Sequence, residues 1–173
     1  NDGLVTGNTE SGGITIGNSP PAISSVSVTP DPARVTDTLS CSYSGYTDPD
    51  GDDDESSYEW SINGVLAGSD SSLMGSFVKG DSVICTVTPS DGSASGVAMS
   101  AGLTISNTAP LGSGVSISPA LPTVLDPLLC SYSYFDADGD LDESTIEWSI
   151  GGALVGTGAS LTTGYVKGDE VTC

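Results

Sequence analysis

Residues 39–43 read Leu-Ser-Cys-Ser-Tyr and residues 58–62 read Tyr-Glu-Trp-Ser-Ile. In both, large side chains alternate with polar ones, the period of a strand with one buried face. Val26 and Val28 alternate in the same way before Pro30, and so do Val83, Cys85 and Val87. Cys41, Trp60 and Cys85 are therefore in phase with apolar neighbours and share their inward face. Clusters of Gly, Pro, Asp and Ser separate these runs; the 173 residues include 23 glycines and 10 prolines. Helix signals are almost absent. Short alternating runs bounded by turn formers predict an all-β chain.

Working outward from these landmarks, the chain repeats. Cys41 recurs as Cys130, Trp60 as Trp148 and Cys85 as Cys173, at shifts of 89, 88 and 88 residues. Asp48-Pro-Asp-Gly-Asp52 recurs as Asp136-Ala-Asp-Gly-Asp140. Glu59-Trp-Ser-Ile62 recurs as Glu147-Trp-Ser-Ile150, and Phe77-Val-Lys-Gly-Asp81 as Tyr165-Val-Lys-Gly-Asp169. Asn1-Asp2-Gly3 matches Ser90-Asp91-Gly92, and Ile14-Thr-Ile-Gly-Asn18 matches Leu103-Thr-Ile-Ser-Asn107. Internal periodicity of this kind is the signature of repeat architectures. The expected division is residues 1–17 as the C-terminal strands of a preceding repeat, 18–106 as one complete repeat, and 107–173 as a repeat that stops before its last strand. A chain that opens on Asn1 with no visible signal peptide is expected to be processed or partly observed.

Two cysteines per repeat at equivalent places argue for Cys41–Cys85 and Cys130–Cys173 disulfides over buried free thiols. Each would stabilise by roughly 3–5 kcal/mol through loop closure. Zinc is disfavoured, since there is no CxxC and no His. The Cys…Trp…Cys order resembles the immunoglobulin fold, where two cysteines bridge facing strands and a tryptophan packs on the bridge. A long acidic loop between the first Cys and the Trp, and Val83-Ile84 before Cys85, depart from antibody domains. The D-x-D-G-D loop, the Lys79-Gly-Asp81 turn and Pro89-Ser-Asp-Gly92 are similar instead to the tandem immunoglobulin-like, PKD-like and cadherin-like repeats of large prokaryotic surface and filament proteins. The resemblance implies tandem β-sandwich repeats of about 88 residues with one disulfide each. It is specific for architecture and weak for function.

Residues 48–55 hold six carboxylates and residues 136–143 hold five, together 11 of the 23 acids. Asp48, Asp50, Asp52, Asp54 and Glu55 are candidate ligands for calcium, as are Asp136, Asp138, Asp140, Asp142 and Glu143. A hard cation takes about six to eight oxygens, and alternating Asp residues around a Gly turn can supply several. Asp53 becomes Leu141 in the second copy and is the weakest candidate. The pattern is not an EF-hand, because Gly stands fourth and no helix flanks the loop. Immunoglobulin topology places Asp91 at the same end as this loop, where the chain arrives through Asn18-Ser-Pro-Pro21, so a junction cation like that between cadherin repeats is implied. The competing reading is a solvated turn, for which Asp and Gly are equally suited. A hydrolytic carboxylate pair needs opposed groups across a cleft, and a repeated exposed loop is the wrong setting.

Composition narrows the function. With 3 Lys+Arg against 23 Asp+Glu and no His, the net charge is −20. Such a chain cannot neutralise phosphates, which excludes a nucleic-acid binder. No polybasic patch or long apolar run addresses a membrane. Without His the commonest general base is missing, and no enzyme activity is expected. The aromatics Tyr43, Tyr46, Tyr132, Tyr134, Phe135 and Tyr165 read as core packing before a sugar platform, and Lys79-Gly-Asp81 as a turn. No N-glycosylation sequon is present. The expectation is a structural module of an extracellular or cell-surface fibre, filament or stalk, whose partners are neighbouring repeats or copies of itself. The alternatives are an adhesin or carbohydrate-binding repeat, or a spacer of a large secreted enzyme. One long polypeptide is favoured over subunits that exchange residues 1–17.

Overall fold

The structure is a computed structural model that describes residues 10–173. Among these it has thirteen strands and no helix: β1 (Ser25–Thr29), β2 (Leu39–Ser44), β3 (Ser57–Ile62), β4 (Val65–Gly68), β5 (Ser72–Leu73), β6 (Ser82–Thr88), β7 (Met99–Thr104), β8 (Leu111–Ser118), β9 (Leu128–Phe135), β10 (Glu147–Ile150), β11 (Ala153–Thr157), β12 (Ser160–Leu161) and β13 (Val171–Thr172). They form four sheets, ordered β1-β2-β5, β4-β3-β6-β7, β12-β9-β8 and β11-β10-β13. The strand pairings are antiparallel.

Alternation in sequence becomes alternation in burial. Leu39 and Cys41 on β2, Trp60 on β3, and Val83, Cys85 and Val87 on β6 are buried. The intervening serines face water and pair across strands, Ser25 with Ser44 and Ser27 with Ser42, at 2.8 and 2.9 Å between hydroxyl oxygens. Cross-strand hydroxyl pairs of this kind add to sheet stability. The Cys41–Cys85 bridge ties β2 to β6 and so joins two sheets. Cys130–Cys173 ties β9 to the segment after β13. Leu128, Cys130, Trp148 and Leu161 make a second core, flanked by Ile117, Ile146, Tyr165 and Val171. Each tryptophan is fully buried yet keeps its N–H satisfied, Trp60 Nε1 donating to the Asp70 carbonyl and Trp148 Nε1 to the Gly158 carbonyl, both at 2.8 Å. A buried indole needs such a partner.

Two tight hairpins complete the central sheets. Asn63 and Gly64 (φ 52° and 80°) connect β3 to β4, and Gly151 and Gly152 (φ 56° and 81°) connect β10 to β11. Two consecutive positive φ values define the turn that matches strand twist, and Asn-Gly or Gly-Gly supplies them at least strain.

The described residues form two compact units. One comprises the described part of Asn1–Asp31 with Thr38–Leu73 and Ser82–Leu103; the other comprises Pro32–Asp37, Met74–Asp81 and Thr104–Cys173. The division is not a single cut between residues 106 and 107. Ile105 pairs with Ala33 in a parallel bridge, the Gly80 N–H donates to the Ile105 carbonyl, and the Ile105 N–H donates to the Asp81 carbonyl. These bonds hold residues 33 and 80–81 in the second unit. Residues 10–20 carry no strand, and Ile14 and Ile16 are 90% and 83% exposed. The rest of the expected 1–17 tail, including Asn1-Asp2-Gly3, lies outside the described residues.

Candidate functional site

Each acidic loop is folded by its first aspartate. Asp48 Oδ1 accepts the N–H groups of Asp50 and Asp52 at 2.8 and 3.2 Å, and Gly51 turns the chain with φ 83°. Asp136 Oδ1 does the same for Asp138 and Asp140, also at 2.8 and 3.2 Å, around Gly139 with φ 79°. An aspartate that caps its own loop in this way is a local turn device. Its result is to gather charge: Asp48, Asp50 and Asp52 each place a carboxylate oxygen within 4.8 Å of the others, as do Asp136, Asp138 and Asp140.

That gathering leaves anionic oxygens without donors. Asp48 Oδ2, Asp136 Oδ2 and Asp138 Oδ1 are closed off from solvent with no hydrogen-bond partner, as is Thr108 Oγ1. Such atoms are costly unless something satisfies them. Asp52 is held above its ordinary carboxylate value by partial loss of solvent and by repulsion from Asp48, Asp91, Asp50 and Asp53. An oxygen-only donor set of this charge fits a hard cation.

The remaining candidates have other places. Asp54 accepts from the Tyr43 hydroxyl at 2.8 Å and from the Ser56 N–H and hydroxyl at 3.0 and 2.5 Å. Burial alone would raise it, but the Ser56 and Tyr43 bonds hold it below its ordinary value. Asp142 repeats this with Tyr132 and Ser144, which likewise lower it. These two aspartates anchor the far ends of the loops and do not join the clusters. Asp91 accepts from Asn18 Nδ2 at 2.9 Å and from the Ser93 and Ala94 N–H groups, and the Asn18 bond leads in lowering it. The Glu55 carboxylate lies against Gly92. Asp53 and Glu143 are exposed.

Of the tyrosines expected in the core, Tyr165 packs against the second core and donates to the Asp126 carbonyl, whereas Tyr43, Tyr46, Tyr132 and Tyr134 are half-buried and brace the acidic loops with their hydroxyls. Tyr46 donates to the Asp53 carbonyl, and Tyr134 reaches the Asp140 and Leu141 carbonyls. Phe135 is 62% exposed and lies outside the core.

The loops also grip the incoming chain. The Ser19 N–H donates to Asp50 Oδ2 at 2.6 Å, and the Thr108 N–H donates to Asp138 Oδ2. In the second unit Lys79 Nζ sits 2.6 Å from both oxygens of Asp140, an ion pair that raises the lysine above its ordinary value. Arg34 Nη1 donates to the Asn107 carbonyl nearby. Lys79 is thus more than the turn residue expected from sequence, and the sequence signal for this role is scarcity: two of the three cations in the chain, Arg34 and Lys79, act at this one place.

The fold and these loops define a disulfide-linked all-β protein with paired acidic loops at the points where chain segments arrive. No protein-family model matches the chain, and no curated protein matches it in sequence. Disulfides persist in oxidising compartments, which sets the chain outside the cytoplasm. Among the described residues no helix is long and apolar enough to cross a membrane.

Proposed function

We propose that the chain is a structural segment of an extracellular or cell-surface fibre, filament or stalk, built from tandem immunoglobulin-like β-sandwich repeats. The supporting observation is the recurrence of one joint. An acidic loop curls around its first aspartate and takes the N–H of the arriving segment, at Ser19 on Asp50 and at Thr108 on Asp138. A module whose work is recognition would elaborate an exposed surface; here the repeated chemistry is turned toward the joint. Short connections, a disulfide in each half and a clamped arrival point all limit bending under load.

Calcium belongs to this reading. Asp48, Asp50 and Asp52 would hold it at the first loop, and Asp136 and Asp138 at the second, where Asp140 is shared with Lys79. The ion supplies positive charge to oxygens that otherwise repel one another, and thereby fixes the arriving segment to the loop.

The test is the native assembly. Material isolated without denaturants would be imaged by electron microscopy, then weighed after reduction and denaturation. Elongated particles of constant width are expected, whether the polypeptide is many times 17.2 kDa or the chain polymerises. Compact particles of a single 17.2-kDa chain, with no elongated form, would refute the proposal.

A further inference from the structure

Among the described residues, Asp136 Oδ2 and Asp138 Oδ1 of the second loop are closed off from solvent without a hydrogen-bond partner, and a third such atom comes from outside the loop. It is the hydroxyl of Thr108, in the segment between β7 and β8 and in the same compact unit as the loop. The Thr108 N–H donates to Asp138 Oδ2. The hydroxyl stands three bonds from that nitrogen, no more than about 4 Å away, so it flanks the same carboxylate. A hydroxyl shut in beside carboxylates ordinarily donates to one of them. This one bonds to neither Asp136 nor Asp138.

Oxygens that share one cation behave in this way. Each points at the ion instead of at its neighbours, and at about 2.4 Å from calcium they stand up to about 4.8 Å apart, beyond hydrogen-bond range. Asp136, Asp138 and Asp140 each bring a carboxylate oxygen within 4.8 Å of the others. Asp140, however, is engaged: Lys79 Nζ lies 2.6 Å from both of its oxygens. A further ligand must come from elsewhere, and in this unit Thr108 Oγ1 is the remaining shielded oxygen without a partner among the described residues. The charges agree. Lys79 offsets Asp140, a divalent ion offsets Asp136 and Asp138, and a hydroxyl adds an oxygen without adding charge. The feature is not confined to one loop, since Asp48 Oδ2, the counterpart of Asp136 Oδ2, is orphaned as well.

We propose that the Thr108 hydroxyl is a calcium ligand, joining Asp136 and Asp138 in the position that Asp140 gives up to Lys79. The ion then ties the arriving segment to the loop directly, beside the backbone bond from Thr108 to Asp138. This rests on the calcium part of the fibre reading and names the residue through which the ion reaches the joint. Magnesium sheds its water reluctantly and is the poorer match to oxygens closed off from solvent.

The test uses the full chain carrying Asp50→Asn, in which the first loop has lost a ligand, and follows the second loop by calcium titration calorimetry. Thr108→Val keeps the shape of the side chain and removes the oxygen. It is expected to weaken calcium binding at least about tenfold, as loss of even an outer partner of a metal does, while Thr108→Ser stays within about threefold of the parent. Without calcium, Thr108→Val should melt no lower than its parent, because it removes an orphaned buried hydroxyl; a fall would assign the hydroxyl a structural bond instead and overturn the proposal. Hydrogen exchange supplies a third readout. Calcium should slow the amides of residues 104–110 together with those of 136–143, and magnesium at the same concentration should not. Calcium affinity unchanged by Thr108→Val, or protection confined to residues 136–143, would overturn the role of Thr108 and leave calcium on the loops. Absence of calcium binding by the wild-type chain would remove both, while the fibre reading stands or falls separately on imaging.

Discussion

Gly96 offers the sharpest test of how the arriving chain is seated in the first unit. Its φ lies outside the left-handed region, so space and not backbone freedom demands glycine. A Cβ there would fall 1.8 Å from the Pro21 carbonyl oxygen and 3.1 Å from Pro89 Cγ. Neither neighbour yields easily. Pro21 and Pro89 are both fully buried, and the next residue, Ala22, is locked to Thr47 by two backbone bonds of 2.9 and 2.8 Å. Gly96 is itself pinned, its N–H donating to the Pro89 carbonyl at 2.9 Å. Ordinary contact requires the pair to separate by about 1.6 Å. Overpacking costs about 1–3 kcal/mol, and a broken backbone bond adds about 1 kcal/mol. Restricting the unfolded chain returns less than about 1 kcal/mol. Gly96→Ala should therefore destabilise the first unit by about 2–3 kcal/mol, which lowers the melting temperature of a domain of that size by roughly 10–20 °C. Differential scanning calorimetry suits the measurement, since two units need not melt as one transition. Gly12→Ala, with nothing within 4 Å, is the control and should leave the thermogram unchanged. A Gly96→Ala melt within about 2 °C of wild type would show that Pro21 is not held where this reasoning places it.

Two further outcomes follow from the same structure. Reduction should cost about 4 kcal/mol for each bridge, the loop-closure value for a sequence separation of 44 or 43 residues, read as a fall in urea midpoint with reductant; an unchanged midpoint would contradict it. Acid stability should depend on Asp54, Asp91, Asp126 and Asp142, whose hydrogen bonds hold them below the unfolded value of about 3.9. Their stabilisation is present above that value and is lost as pH falls through the folded values. Asp52, raised by lost solvent and like charge, runs the other way and opposes folding as it ionises. Melting temperature against pH should thus flatten on its acid side in Asp54→Asn and rise near neutrality in Asp52→Asn; parallel curves for wild type and both variants would exclude these roles.

Much of the strand layout was legible because burial follows local alternation. Val26, Leu39, Cys41, Trp60, Val83 and Cys85 all lie on strands, and the two disulfides join the cysteines expected of them. β4 and β11 were harder to see, since their side chains are mostly exposed and carry no apolar period. The Asn63-Gly64 and Gly151-Gly152 dipeptides were the available signal for both. Within the acidic loops, composition showed that charge gathers but not which carboxylates converge. Asp54 and Asp52 are both acidic loop residues, and only geometry separates them: one reaches back to Tyr43 on β2, the other brings its carboxylate to those of Asp48 and Asp50. Lys79 on Asp140 spans 61 residues, a distance over which no local pattern carries information.

The two acidic loops share a pattern but offer a metal ion different sites. At the first, no lysine or arginine among the described residues pairs with Asp52, and its pKa is raised by partial loss of solvent and then by repulsion from Asp48, Asp91, Asp50 and Asp53. At the second, Lys79 already spans both oxygens of Asp140, and its charge also acts on Asp136 and Asp138. A divalent ion must compete with that lysine or do without Asp140. We expect calcium to bind the first loop more tightly than the second. Titration calorimetry of the full chain should show a strong site that Asp48→Asn or Asp50→Asn removes. Lys79→Met should then strengthen a second site, because it frees Asp140 without altering the loop that Asp136 folds. Calcium at 100 times its dissociation constant would stabilise the unit that binds it by about 2.7 kcal/mol, enough to separate the two units in a thermogram. Two equal sites in wild type, unmoved by Lys79→Met, would mean that the ammonium and the metal do not contend for the same oxygens.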